Sequence, residues 1–125
     1  MTTPTPHGCM LLFRGMEWTK ALSPEEAQKV MGQWMAWFDE LIKDGRATSG
    51  SPLEAAGKVV SGAGGKVIVD GPYAESKEAV GGYFYLTVKT FEEAMSIAQA
   101  CPGLPHGAVV EVRPIAGECA LAEQF

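Results

Sequence analysis

A chain of 125 residues, 46% of them hydrophobic, can bury roughly two-thirds of its unfolded surface and fold as one domain. Fifteen acidic against ten basic residues leave a net charge of −5, the reverse of the field a nucleic-acid surface concentrates, which argues against direct DNA or RNA binding. Met1-Thr2-Thr3-Pro4-Thr5-Pro6-His7 lacks the basic-then-apolar order of a signal sequence, and no apolar run approaches the ~18 residues of a membrane span, so no membrane role and a cytoplasmic location are expected.

In chain order, residues 1–7 read as an N-terminal tail, and Cys9-Met10-Leu11-Leu12-Phe13 is a continuous apolar run closed by Arg14-Gly15. Such a run predicts a central strand covered on both faces. Ser23-Pro24-Glu25-Glu26 then supplies a capping serine, proline at the first helical position and a glutamate three residues after the cap. The helix it starts carries Ala27, Val30, Met31, Trp34, Phe38, Leu41 and Ile42 at three- and four-residue steps, and Gly45 stops it. Arg46 to Pro52 holds at most a short strand. Lys58-Val59-Val60-Ser61 and Lys66-Val67-Ile68-Val69 flank Gly62-Ala63-Gly64-Gly65 as the arms of a hairpin. That glycine tip lacks the Lys-Ser/Thr ending and the following helix of a phosphate cradle.

Asp70-Gly71-Pro72 should stop the second arm, because proline fixes φ and has no N–H for a ladder. Tyr73-Ala74-Glu75-Ser76-Lys77-Glu78 continues as a charged loop without apolar anchors. Val80 to Val88 predicts a strand with Tyr83, Tyr85 and Thr87 on one face and Phe84, Leu86 and Val88 on the other. Thr90-Phe91-Glu92-Glu93 opens a second helix with the stripe Phe91, Ala94, Met95, Ala98 and Cys101, ended by Pro102-Gly103. Ala108 to Arg113 is the last strand, with Val110 and Val112 opposite Val109, Glu111 and Arg113, and Pro114 at its exit. Residues 8–115 then form the domain, and 116–125 a C-terminal tail whose docking side chains would be Leu121 and Phe125.

Strand, helix, strand pair, helix, strand is the α+β, ferredoxin-like βαββαβ order, with the Lys58–Asp70 hairpin as an addition. Two helices cover one face of such a sheet, yet the first strand is apolar on both faces and Tyr83 and Tyr85 occupy the second face of a neighbour. A second copy meeting the first through an isologous interface is the economical cover, so a homodimer is expected.

Among candidate functional residues, Cys9, Cys101 and Cys119 show neither a Cys-x-x-Cys pair nor a Cys/His cluster, so they read as small core thiols and no metal site is predicted. His7 lies in the Pro/Thr-rich tail. His106 has two readings that the residues leave open: a proton-transfer group at the start of the last strand, or a side chain that fixes the helix-to-strand turn. Asp70 likewise reads as a general base or as a turn former that accepts backbone N–H bonds. Glu75 and Lys77 are a solvated loop face or, with Arg14, Tyr73 and Tyr83, the wall of a cleft for a small polar organic ligand. The βαββαβ order brings Arg14, Asp70 and His106 to one end of the sheet but sets the second and last strands on opposite borders. Arg14 beside His106 is therefore expected rather than a hydrogen bond between Asp70 and His106 within one chain.

Asp70-Gly71-Pro72-Tyr73-Ala74-Glu75-Ser76-Lys77-Glu78 resembles the signature of the DGPF branch of the YCII-related family, with Tyr73 for phenylalanine and Ser76 for threonine. Cys101-Pro102, His106-Gly107 and Glu111-Val112-Arg113-Pro114 resemble that branch's C-terminal pattern, and the likeness runs from about Met10 to Ile115. The resemblance implies a dimeric α/β barrel. It also implies kinship with enzymes acting on small ring-derived compounds, a dehydrochlorinase-type member among them, in which a histidine and an aspartate form the active site. The helix position that holds the histidine in that branch is Trp34 here, so the pair does not carry over intact and Trp34 reads as core or pocket wall. Two expectations follow. One is a lyase, isomerase or dehalogenase without cofactor that uses Asp70 or His106 for proton transfer. The other is a non-catalytic regulatory module that binds a ligand or a protein partner, as implied by family members joined to, or encoded beside, extracytoplasmic-function sigma factors.

Overall fold

The structure, a computed structural model, describes residues 2–15, 17–71 and 79–117. Along the chain run β1 (Cys9–Arg14), α1 (Trp18–Ala21), α2 (Pro24–Lys43), β2 (Ala47–Pro52), β3 (Gly57–Ser61), β4 (Val67–Gly71), β5 (Val80–Leu86), α3 (Phe91–Gln99) and β6 (Val109–Pro114). One antiparallel sheet has the order β2-β5-β1-β6, and β3 and β4 form a separate two-stranded sheet. This is the expected ferredoxin-like α+β order, with the apolar β1 at its centre.

The second strand of the main sheet is β2, a full border strand, where the sequence suggested at most a short one. Thr48, Ser49, Gly50 and Ser51 hide it from a hydrophobicity reading, because its pairing with β5 is a matter of backbone bonds rather than of side chains. Asp70 is accordingly not at the end of a main-sheet strand. It lies within β4, opposite Lys58, and that arm runs on through Gly71.

Helix α2 begins as predicted. Ser23 is extended and its hydroxyl accepts the Glu26 N–H at 3.1 Å, with proline in the first turn. Its end is a Schellman closure: Gly45, at φ +72°, donates to Ile42 O at 3.1 Å, and Arg46 donates to Leu41 O at 2.9 Å. The apolar stripe is narrower than the periodicity suggested. Val30, Trp34 and Leu41 are buried, Met31 and Phe38 pack partly, and Ile42 faces solvent. On α3 the buried positions are Ala94, Ile97 and Ala98, whereas Met95 is exposed, because the inward stripe steps from 94 to 97 and 98 and on to Cys101.

The core lies between the helices and one sheet face. Cys9, Leu11 and Phe13 of β1 meet Phe84 and Leu86 of β5 there, beneath Trp34, Leu41, Ala94 and Ile97. Alternation along β5 is as expected, with Phe84 and Leu86 buried and Tyr83 and Tyr85 half-buried on the opposite face. Met10, Leu12 and Arg14 share that opposite face with Glu111 and Arg113 of β6. Residues 3–7 run beside the start of α3. Thr5 is buried, donating through its N–H to Lys89 O at 2.8 Å and through its hydroxyl to Val88 O at 3.0 Å, and the Thr3 N–H bonds both Glu92 carboxylate oxygens at 2.9 Å.

Candidate functional site

The rows of the sheet lack side chains at two places on the helix side. Gly82 of β5 stands opposite Phe13 and Pro52, and Gly50 of β2 stands opposite Phe84. Gly50 is required by close approach, since a Cβ there would fall 2.8 Å from the Phe84 ring and 2.9 Å from that of Phe38, and at Gly82 a Cβ would fit only tightly, 3.1 Å from Ser51 O. Over this bare patch α2 sends Met31, Trp34, Met35 and Phe38, which recur at the three- and four-residue steps that share one helix face. The result is a cleft of about 300 Å³ between α2 and the β2–β5 side of the sheet.

Among the described residues four aromatic rings line it, and no charged side chain does. Phe13 is the hub, edge-on to Trp34 at 4.9 Å and to Phe84 at 4.7 Å, while Phe38 lies tilted on Phe84 at 4.5 Å. Such edge contacts hold rings in fixed orientations, so the wall is preformed. Trp34 is held from behind as well, since its ring rests where a Cβ on Gly103 would come within 2.6 Å. Both readings of Trp34 therefore apply: it is 6% exposed, core on one side and pocket wall on the other.

A second cluster gathers at the end of β1. Trp18, which sequence reasoning passed over, is buried and stacks on Trp34 at 6.1 Å with the planes 4° apart. His106 closes the 3₁₀ turn Leu104–His106, is exposed, and also stacks on Trp18, at 6.0 Å. Gly15 lies against Gly107, so Arg14 and His106 do share one end of the molecule. Arg14 nevertheless turns to Glu111, which also takes Arg113 at 3.7 Å, on the open sheet face. Tyr83 lies on that face, opposite Leu12 and Ser51.

Asp70 pairs with Lys58 across the hairpin, and both side chains are largely exposed. The backbone N–H groups that the turn-former reading of Asp70 invokes lie beyond Gly71, outside the described residues. Asp70 and His106 share no hydrogen bond. Tyr73, Glu75 and Lys77 lie outside the described residues, as do Cys119, Leu121 and Phe125.

Cys9 and Cys101 are buried and unpaired, as small core thiols should be. Burial pushes the Cys101 thiol up to about 11, against hydrogen bonds with the backbone of Gly103 and Leu104 that pull it down. Burial raises Cys9 too, offset in part by its bond with the Thr5 side chain. Among the described residues no group of three His, Cys, Asp or Glu side chains could hold a metal ion, and no helix is long and apolar enough to cross a membrane.

The signal that would have found the cleft is a pair of glycines at strand positions facing aromatic rows, which needs the register before it can be read. Residues 10–116 match the family model described as YCII-related domain. An uncharacterized protein of Rhizobium meliloti (strain 1021) is 29% identical over 111 residues, covering 86% of this chain and 90% of that protein.

Proposed function

This chain belongs to the YCII-related family, and from that premise we propose that it binds a small organic molecule in the cleft beneath α2. The observation that carries the reading is the cleft itself: about 300 Å³, walled by Phe13, Trp34, Phe38 and Phe84, at the lower end of the size range of small-molecule sites. The acid/base enzyme built on Asp70 and His106 has less support, since Asp70 is engaged by Lys58 and His106 by Trp18. Methyl-labelled methionine gives a direct test. Met31 and Met35 line the cleft, whereas Met95 sits exposed on α3. A fragment that occupies the site should shift the first two methyl resonances and leave Met95 in place; a fragment library that moves none of them selectively sinks the reading.

The molecule is proposed to act as a homodimer closed over the open sheet face. Met10, Leu12, Tyr83 and Tyr85 support this, being half-buried and without a covering layer among the described residues. A regulatory module acting through a protein partner is the second reading, and one observation favours it: Val59, Val60, Val67, Ile68 and Val69 of the β3–β4 hairpin are each about half exposed. Changing Val60 and Ile68 to threonine should then weaken association with that partner without altering the cleft; unchanged association would remove the hairpin from this role.

A further inference from the structure

We infer that the ligand of the α2 cleft is an uncharged, planar aromatic compound of two fused rings, an inference that rests on the small-molecule reading above. Size comes first. A dry cavity of about 150 Å³ lined by Leu, Ile and Phe takes one benzene ring. The cleft here is about 300 Å³, which gives room for two fused rings.

Charge comes second. Among the described residues no Asp, Glu, Lys, Arg or His lines the cleft, so an ion entering it would give up water without gaining a partner from them. A neutral ligand meets no such cost.

Shape is third. Gly82 leaves the floor flat, because it removes a side chain from the row beside Phe13 and no α2 side chain reaches the space above it, whereas the Phe84 and Phe38 rings already fill the space over Gly50 and bound the slot on that side. A thick, puckered ring system fills such a slot poorly, whereas a flat one slides between the glycine floor and the α2 side chains. Phe13 already stands edge-on to Trp34 and Phe84, so an added ring extends an existing edge-to-face cluster. Two such contacts together amount to about a tenfold gain in affinity over a saturated compound of the same skeleton.

The experiment compares 2-naphthol, its saturated counterpart 2-decalol, and 2-naphthoate at neutral pH, titrated into the full chain with calorimetry and the Met31 and Met35 methyl resonances as readouts. The expected result is 2-naphthol at least tenfold tighter than either of the others, with both cleft methyls shifted. In the Phe38→Leu variant, which keeps an apolar wall but loses a ring, the advantage over 2-decalol should shrink several-fold. Equal binding of 2-decalol overturns the aromatic assignment and leaves the small-molecule reading standing. Equal binding of 2-naphthoate overturns the neutral one in the same way. If no compound here and no fragment of a wider library reaches the cleft, both fall together. Cleft methyls that shift with protein concentration alone would assign the cleft to a second copy of the chain and overturn the inference.

Discussion

At the scale of single residues, a few positions decide the geometry of the site. Gly50→Ala should destabilise the protein by about 1–3 kcal/mol, because its Cβ meets the Tyr83 carbonyl as well as two rings and the border strand must shift to admit it. Denaturant unfolding measures this, and an unchanged midpoint would mean that β2 yields freely. Trp18 is more subtle. Its buried Nε1–H has no hydrogen-bond partner among the described residues, so Trp18→Phe trades a loss of packing against relief of an unpaired donor. The two effects are of similar size, and the net change should stay within about 1 kcal/mol, whereas Trp18→Ala should cost about 3–5 kcal/mol. Cys101 gives a pH prediction. Its folded thiol titrates near 11 and its unfolded thiol near the ordinary value of 9.0, so the unfolded state loses its proton first. The contribution is fully present below about pH 9 and declines as pH rises toward 11. Urea midpoints should fall over that window, and Cys101→Ala should flatten the decline; parallel slopes would contradict the assignment.

At the scale of elements, capping and periodicity were legible and pairing was not. The Ser23 cap, the Gly45 stop and the Thr90 cap could be written down from local chemistry, since each is complete within a few residues. By contrast, β2 was nearly invisible, because Thr48, Ser49, Gly50 and Ser51 carry no apolar alternation and only the neighbouring β5 makes them a strand. Helix α1, Trp18–Ala21, was missed for a related reason: four residues are too short for a period, and Trp18 is held by the side chains it meets. The hairpin was found, but not its independence. Among the described residues its arms pair only with each other, and two-stranded sheets are marginal alone. Amide exchange of Val59, Val60, Ile68 and Val69 should therefore run at least tenfold faster than that of Leu11 and Leu86 in the main sheet; equal protection would show that the hairpin is covered by another surface.

At the scale of the whole molecule, the sheet divides the protein into a helix-covered side that holds the cleft and a second side, without a covering layer among the described residues, with Met10, Leu12, Tyr83, Tyr85 and the Arg14–Glu111 pair. The overall order was legible from alternation and caps. The cleft was not, since it arises from glycines and rings that come together only through register, whereas Asp70 and His106 stand out in the sequence as chemically active types. Sedimentation at micromolar concentration should give twice the chain mass if the open face closes on a second copy, and a single-chain mass would refute that arrangement. The cleft beneath α2 carries the proposed function. A crystal structure of the protein soaked in 2-naphthol is its most direct test: density for the two rings between Phe13, Trp34, Phe38 and Phe84 is the predicted result, and an unfilled cleft with the compound bound at another surface would contradict it.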